Sequence, residues 1–100
     1  MTTKLNGDTL KIGGLTELNA TNAAGFRDEA RAALTDAVTT LDVDLSSTTF
    51  LDSSGLGALI ALHKTMATRG GCLRILKPTP TVLQILELTR LHRVLEILQT

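Results

Sequence analysis

Between Leu41 and Leu45 the chain alternates apolar and acidic residues one by one, as Leu41, Asp42, Val43, Asp44 and Leu45. A period of two is what a strand with one buried face requires. On either side the period changes to that of a helix. Upstream, Phe26, Ala30, Ala33, Leu34 and Val38 share one face while Arg27, Asp28, Arg31 and Asp36 lie largely around the other. This predicts an amphipathic helix from Ala20 to about Val38, with Asn19 or Thr21 as its cap. Downstream, Ser53 or Ser54 opens a second helix to about Thr68. Its residues Leu56, Leu59, Ile60, Leu62 and Met66 cover most of the circumference, the mark of a well-buried helix. A strand held between two such helices restricts the chain to an α/β architecture with right-handed crossovers and substantial parallel pairing.

The remaining elements fit that frame. Asn6-Gly7-Asp8 is a turn signal, with Leu5 in a strand before it and Leu10 and Ile12, extended toward Leu15, in a strand after it. Gly70-Gly71 stops the second helix, and Cys72, Leu73, Ile75 and Leu76 form the next strand. Cys72 reads there as a small core hydrophobe. Pro78 and Pro80 mark an exit loop into a third helix, Thr81 to Leu88. A last short helical segment is expected around Val94, Leu95, Ile97 and Leu98, either covering the core or contributing to a partner or dimer surface.

At 100 residues and 43% hydrophobic content, the sequence is expected to form a single domain over residues 1–100. Burying roughly 60–65% of its unfolded surface leaves little room for a deep substrate cavity. Ten basic residues balance ten acidic ones, neither sign forms a long run, and the only rings besides two histidines are two Phe. A nucleic-acid surface is therefore not expected. Cys72 is the one cysteine, which excludes an intrachain disulfide and a thiolate cluster. The N-terminal residues do not read as a signal peptide, and Leu56 to Leu62 is too short to span a bilayer. The expected compartment is the cytoplasm, without direct membrane insertion. Asp42, Asp44 and Asp52 lack a histidine or further ligand placed with them, so neither a metal site nor a cofactor is expected. His63 reads as packing at a helix edge and His92 as a solvated turn residue.

The segment Thr48-Thr49-Phe50-Leu51-Asp52-Ser53-Ser54-Gly55-Leu56-Gly57 falls between the central strand and the second helix. In open α/β sheets function collects beyond the carboxyl ends of strands. Here two hydroxyls and a carboxylate stand where a helix offers unpaired amides and a positive potential. Gly55 and Gly57 leave the first turn open to close approach by another chain. Plain helix capping accounts for the same Asp and Ser without further function. The segment lacks both the G-x-x-x-x-G-K-[ST] pattern and G-x-S-x-G, and His63 lies two to three turns from Ser54. A catalyst is not expected.

The stretch Val43-Asp44-Leu45-Ser46, then Thr49 through Gly57, resembles the signature of the STAS domain family, and within it the bacterial anti-sigma factor antagonists. Gly70-Gly71 before a short strand and Leu86-Glu87-Leu88-Thr89 followed by Leu91 are similar to that family too. The resemblance implies a STAS-like mixed sheet of four to five strands with helices mainly on one face. It implies an antagonist that binds an anti-sigma factor, itself a serine kinase, and so frees the sigma factor. Phosphorylation at the motif's second serine, Ser54 here, would dissociate the pair, and a serine phosphatase would restore it. Asp52 corresponds to the acidic residue that shapes the loop, and the partner-binding residues would be Asp52, Ser53, Ser54, Gly55, Leu56, Gly57 and Asn19. Where the family usually reads Gly-Glu-Leu-Asp, this chain has Thr16-Glu17-Leu18-Asn19, which removes a carboxylate. The alternative implied is a non-phosphorylated STAS interaction subunit of a membrane transporter complex or another signalling assembly.

Overall fold

The computed structural model describes residues 1–99. Thr2–Asn6 (β1) and Thr9–Gly13 (β2) form an antiparallel hairpin, turned at Gly7 with φ of 65°. After a two-residue strand Glu17–Leu18 (β3) come helix α1, Ala23–Ala33, and strand β4, Thr40–Asp44. Phe50–Leu51 (β5) leads into helix α2, Ser53–Thr68, followed by β6, Cys72–Leu76. Helix α3, Pro80–Leu88, a 3-10 turn at Leu91–Arg93 and strand β7, Glu96–Leu98, follow. The main sheet has the order β1-β2-β4-β6-β7, antiparallel only between β1 and β2 among the described residues. β3 and β5 make a separate parallel pair. The fold is the mixed α/β arrangement expected, and its main sheet is mostly parallel.

The alternation read in β4 divides the sheet into two unlike faces. Leu10 and Ile12 of β2, Leu41 and Val43 of β4, and Leu73 and Ile75 of β6 join one buried cluster with Phe26 and Ala30 of α1, Leu59, Leu62 and Met66 of α2, and Val82 and Leu86 of α3. Each of the larger side chains among them contributes about 1.5–3 kcal/mol by leaving water. The opposite face carries an in-register row, Lys4, Lys11, Asp42, Arg74 and Glu96, one residue from each strand. Asp42 is only 6% exposed, yet both its oxygens accept hydrogen bonds from Arg74, at 2.7 Å from Nε and 2.8 Å from the terminal nitrogen. The pairing explains how a carboxylate sits mid-strand, since an unpaired one would be strongly disfavoured. These hydrogen bonds also raise the Arg74 pKa above its ordinary value, outweighing its own desolvation.

Several elements differ from the sequence expectation. Helix α1 ends at Ala33, with Leu34 already extended at φ −76° and ψ 112°. Val38 remains buried, but through a turn in which its amide donates to the Thr35 carbonyl at 3.1 Å. Apolar spacing alone did not separate the two. The final segment is not helical: Glu96–Leu98 pairs in parallel with β6, and Lys77 N donates to the Leu98 carbonyl at 2.7 Å. The open edge of β6 needs backbone partners, and that demand overrides the helical spacing of Val94, Leu95, Ile97 and Leu98. Cys72 is exposed rather than a core hydrophobe, because it opens β6 on the face carrying Arg74. Leu15 is buried in the loop after β2 rather than in the strand.

Candidate functional site

The loops leaving the carboxyl ends of β2, β4 and β6 are stitched together before α2 begins. Thr48, fully buried, donates its hydroxyl to the Leu15 carbonyl at 2.7 Å. Its own carbonyl accepts the Thr79 hydroxyl at 2.7 Å. Thr79 is also the N-cap of α3, receiving Val82 N at 3.4 Å, and Pro80 occupies the first helical turn where its missing donor costs nothing. Thr49 N donates to the Thr16 carbonyl at 2.9 Å, extending the β3–β5 pairing. Residues 48–51 therefore run extended along residues 15–18 and deliver the chain to α2 at a fixed angle.

Asp52 caps α2 and does more. In extended conformation, its Oδ1 accepts the Gly55 amide at 2.9 Å, the hydrogen bond expected of an N-cap. Its Oδ2 accepts the Ala20 amide at 3.0 Å, from 32 residues earlier in the chain. One carboxylate thus holds the 19–22 turn against the first turn of α2. That turn is itself built by Asn19, whose Oδ1 accepts both the amide and the hydroxyl of Thr21, at 3.0 and 2.6 Å. Neither Asn19 nor Thr21 caps α1. The N-cap is Asn22, which makes no side-chain cap; its Oδ1 accepts Asn19 N at 2.8 Å and its side-chain Nδ2 donates to the Glu17 carbonyl at 2.8 Å.

The residues singled out in the sequence come together here but face different ways. Ser53 and Ser54 are exposed in the first turn of α2, and Asp52 and Asn19 are half-buried beside them. Gly55 is buried: a Cβ there would overlap the Leu18 carbonyl oxygen and come within 2.6 Å of Leu51 Cδ1. The opening at Gly55 is thus filled from within the chain. Leu56 packs against the core, while Gly57 is exposed with nothing within 4 Å of a built Cβ. His63 is half-buried about 13 Å along the helix from Ser54 at 1.5 Å per residue. Direct proton transfer with that hydroxyl is out of reach at such a distance. Among the described residues no group of three or more His, Cys, Asp or Glu is placed to hold a metal, and no helix is long and apolar enough to cross a membrane.

Sequence reasoning placed Gly57 beside Ser54 but missed two other neighbours, Ala20 and Arg27. Ala20, Arg27 and Gly57 line a cavity of about 370 Å³ together with Ser54, between α1 and α2. The four-residue spacing of Arg27 and Arg31 was the available signal. At the end of β4, burial works against the charge of Asp44, but hydrogen bonds from Ser46 and the nearby Lys11 and Lys77 outweigh it and hold the carboxyl below its usual value. The Ser46 amide lies 2.9 Å from Asp44 Oδ1 and Lys11 Nζ 3.8 Å from Oδ2.

A family model described as "Mlab, STAS domain" matches residues 1–99. The fold is shared with solved proteins. A candidate anti-sigma factor antagonist from Thermotoga maritima is 25% identical, with 99% of this chain and 86% of that one covered and a TM-score of 0.89. The anti-sigma factor antagonist SpoIIAA of Bacillus, in its unphosphorylated form, is 23% identical over 96% of this chain and 85% of its own, with a TM-score of 0.81. Its phosphorylated form gives 22%, 96%, 88% and 0.75. The murine anion transporter Slc26a9 is 19% identical over 90% of this chain but only 15% of its own, with a TM-score of 0.76. At identities below 25% the likeness speaks for the fold alone. No curated protein matches the chain.

Proposed function

The chain belongs to the STAS domain family, and on that premise we propose that it is an anti-sigma factor antagonist, a binding protein switched by phosphorylation of Ser54. Its partner is an anti-sigma factor that is also a serine kinase, and a serine phosphatase resets it. The observation that carries this reading is the presentation of Ser54: exposed on a first helical turn whose shape Asp52 fixes from two directions. The partner reads Asp52, Ser53, Ser54, Gly57 and the adjoining Asn19 turn, while Gly55 and Leu56 serve it from beneath by setting that shape.

A phosphate on Ser54 would add about 1.5–2 negative charges two residues from the Asp52 carboxylate. On a docking surface that charge and bulk oppose association without any need to unfold the domain. Ser54→Asp is expected to weaken partner binding at least tenfold, about 1.4 kcal/mol, with an unchanged melting temperature. The decisive experiment incubates the protein with ATP and the serine-kinase anti-sigma factors of its own organism, then maps any phosphate by mass spectrometry. Phosphate on Ser54, abolished in Ser54→Ala, supports the switch; phosphate at another residue refutes the site.

A second reading rests on the presence of the same fold within an anion transporter. In it the domain is a non-phosphorylated subunit of a membrane transporter assembly. Stable co-purification with such an assembly, with no phosphate acquired from any of those kinases, would favour this reading over the first.

A further inference from the structure

Helices α1 and α2 lie side by side, and the seam between them is not filled to the surface. Two cavities, of about 370 and 410 Å³, meet at Gly57, which lines both. Together they form a trough running from Ser54 to Thr68, about 21 Å of helix at 1.5 Å per residue. Its lining is mostly small, with Ala24, Ala58 and Ala61 beside Ile60, and the missing side chain of Gly57 keeps the middle open.

The trough has one sign of charge. Arg27, Arg31 and Lys64 line it, and no carboxylate does among the described residues. In a chain with ten acidic and ten basic residues, that is a segregation of charge rather than a reflection of composition. Two acids stand at its margin without lining it: Asp28, whose Oδ1 lies 3.1 Å from Arg27 Nε with a side chain 67% exposed, and Asp52, whose Oδ2 is already engaged by the Ala20 amide at 3.0 Å. Arg31 is held across the seam, its Nε 3.4 Å from Thr65 Oγ1, so the cation stands on the wall in a defined place.

We infer that this trough is a docking site for an acidic segment of a protein partner. The segment sets small or apolar residues on the Ala and Gly lining and its carboxylates against Arg27, Arg31 and Lys64. Charge complementarity selects the acid, and the mostly small lining along the seam accommodates a helix or extended segment laid along it. Near absence of aromatic side chains argues against a nucleic acid as occupant. The inference rests on the binding-protein reading but not on phosphorylation. It deepens that reading, because Ser54 and Arg27 line the same cavity. A phosphate on Ser54 would compete with the partner's carboxylates for Arg27.

The test uses the isotopically labelled protein and two synthetic helical peptides with the same apolar face. One carries Glu on its polar face and the other Lys. The Glu peptide is expected to shift the amide resonances of Ala24, Gly57, Lys64 and Thr65, and the Lys peptide to leave them unmoved. Arg31→Glu combined with Lys64→Glu, both at exposed positions, should cut affinity for the Glu peptide at least tenfold while the melting temperature holds. Equal binding of both peptides, binding of neither, or shifts confined to the Lys4 and Lys11 face of the sheet would overturn the inference. Because no kinase takes part, a protein that is never phosphorylated can still pass, so the two proposals fail separately.

Discussion

The α-carbon of Gly55 rests against the carbonyl of Leu18, with no space between them for a side chain. This contact joins the first turn of α2 to β3, and it makes Gly55 and Gly57 opposite cases on one helix. Gly55→Ala must push the Leu18 backbone or the Leu51 side chain aside, at a cost of about 1–3 kcal/mol. Gly57→Ala meets open space and gains up to about 1 kcal/mol of helix propensity. Thermal unfolding of the two variants should move in opposite directions, and a fall in both would contradict the packing described.

Asp52→Ala removes the acceptor for both the Gly55 and the Ala20 amides. The expected loss is about 1–2 kcal/mol in urea unfolding. The more specific readout is hydrogen exchange at Ala20, which should accelerate although that residue is far away in sequence. Protection at Ala20 that survives the substitution would show that the turn holds itself.

Arg74→Ala leaves Asp42 almost fully buried with no cation on either oxygen. Removing one partner of a buried pair costs about 3–5 kcal/mol. Since Arg74 is 33% exposed and solvent screens the pair in part, a loss of about 1–3 kcal/mol is expected. Asp42→Asn in the same background should recover part of it, and chemical denaturation of the single and double variants measures this.

Asp44 makes stability depend on acid. A carboxyl with a folded pKa below its unfolded one stabilises the fold fully above the unfolded value of about 3.9 and loses that contribution as pH falls through the lower folded value. Stability should therefore decline from about pH 4 downward, and Asp44→Asn should flatten the decline. Acid titrations followed by circular dichroism compare the slopes, and identical slopes would remove Asp44 from the account.

Alternation was enough for β2 and β4, which bury one apolar face each, while α2, β6 and α3 were legible from apolar runs bounded by glycine and proline breakers. Helix α2 is less enclosed than its apolar circumference suggested, with Ser53, Ser54, Gly57 and Lys64 exposed. Spacing was not enough for Glu96–Leu98, where the unpaired edge of β6 decides the conformation, or for Val38, which a turn buries as well as a helix would. The two-residue strands β3 and β5 are too short to carry a period at all. Within the site, the Asp-Ser-Ser-Gly core was legible as a helix start. The Ala20 amide on Asp52 was not, because a backbone donor leaves no mark on residue type. Nor did the local sequence reveal that Gly55 is needed by Leu18; an inward and an outward glycine look the same.

The bond between Asp52 and Ala20 has a consequence for when the protein becomes readable. A peptide copied from residues 48–57 would contain both serines and the capping carboxylate, but not the turn that braces them. The same holds for a nascent or denatured copy, in which residues 20 and 52 have not yet met. On the proposed reading, the surface a partner would recognise is created by folding, and an immature chain would not compete for that partner ahead of finished molecules.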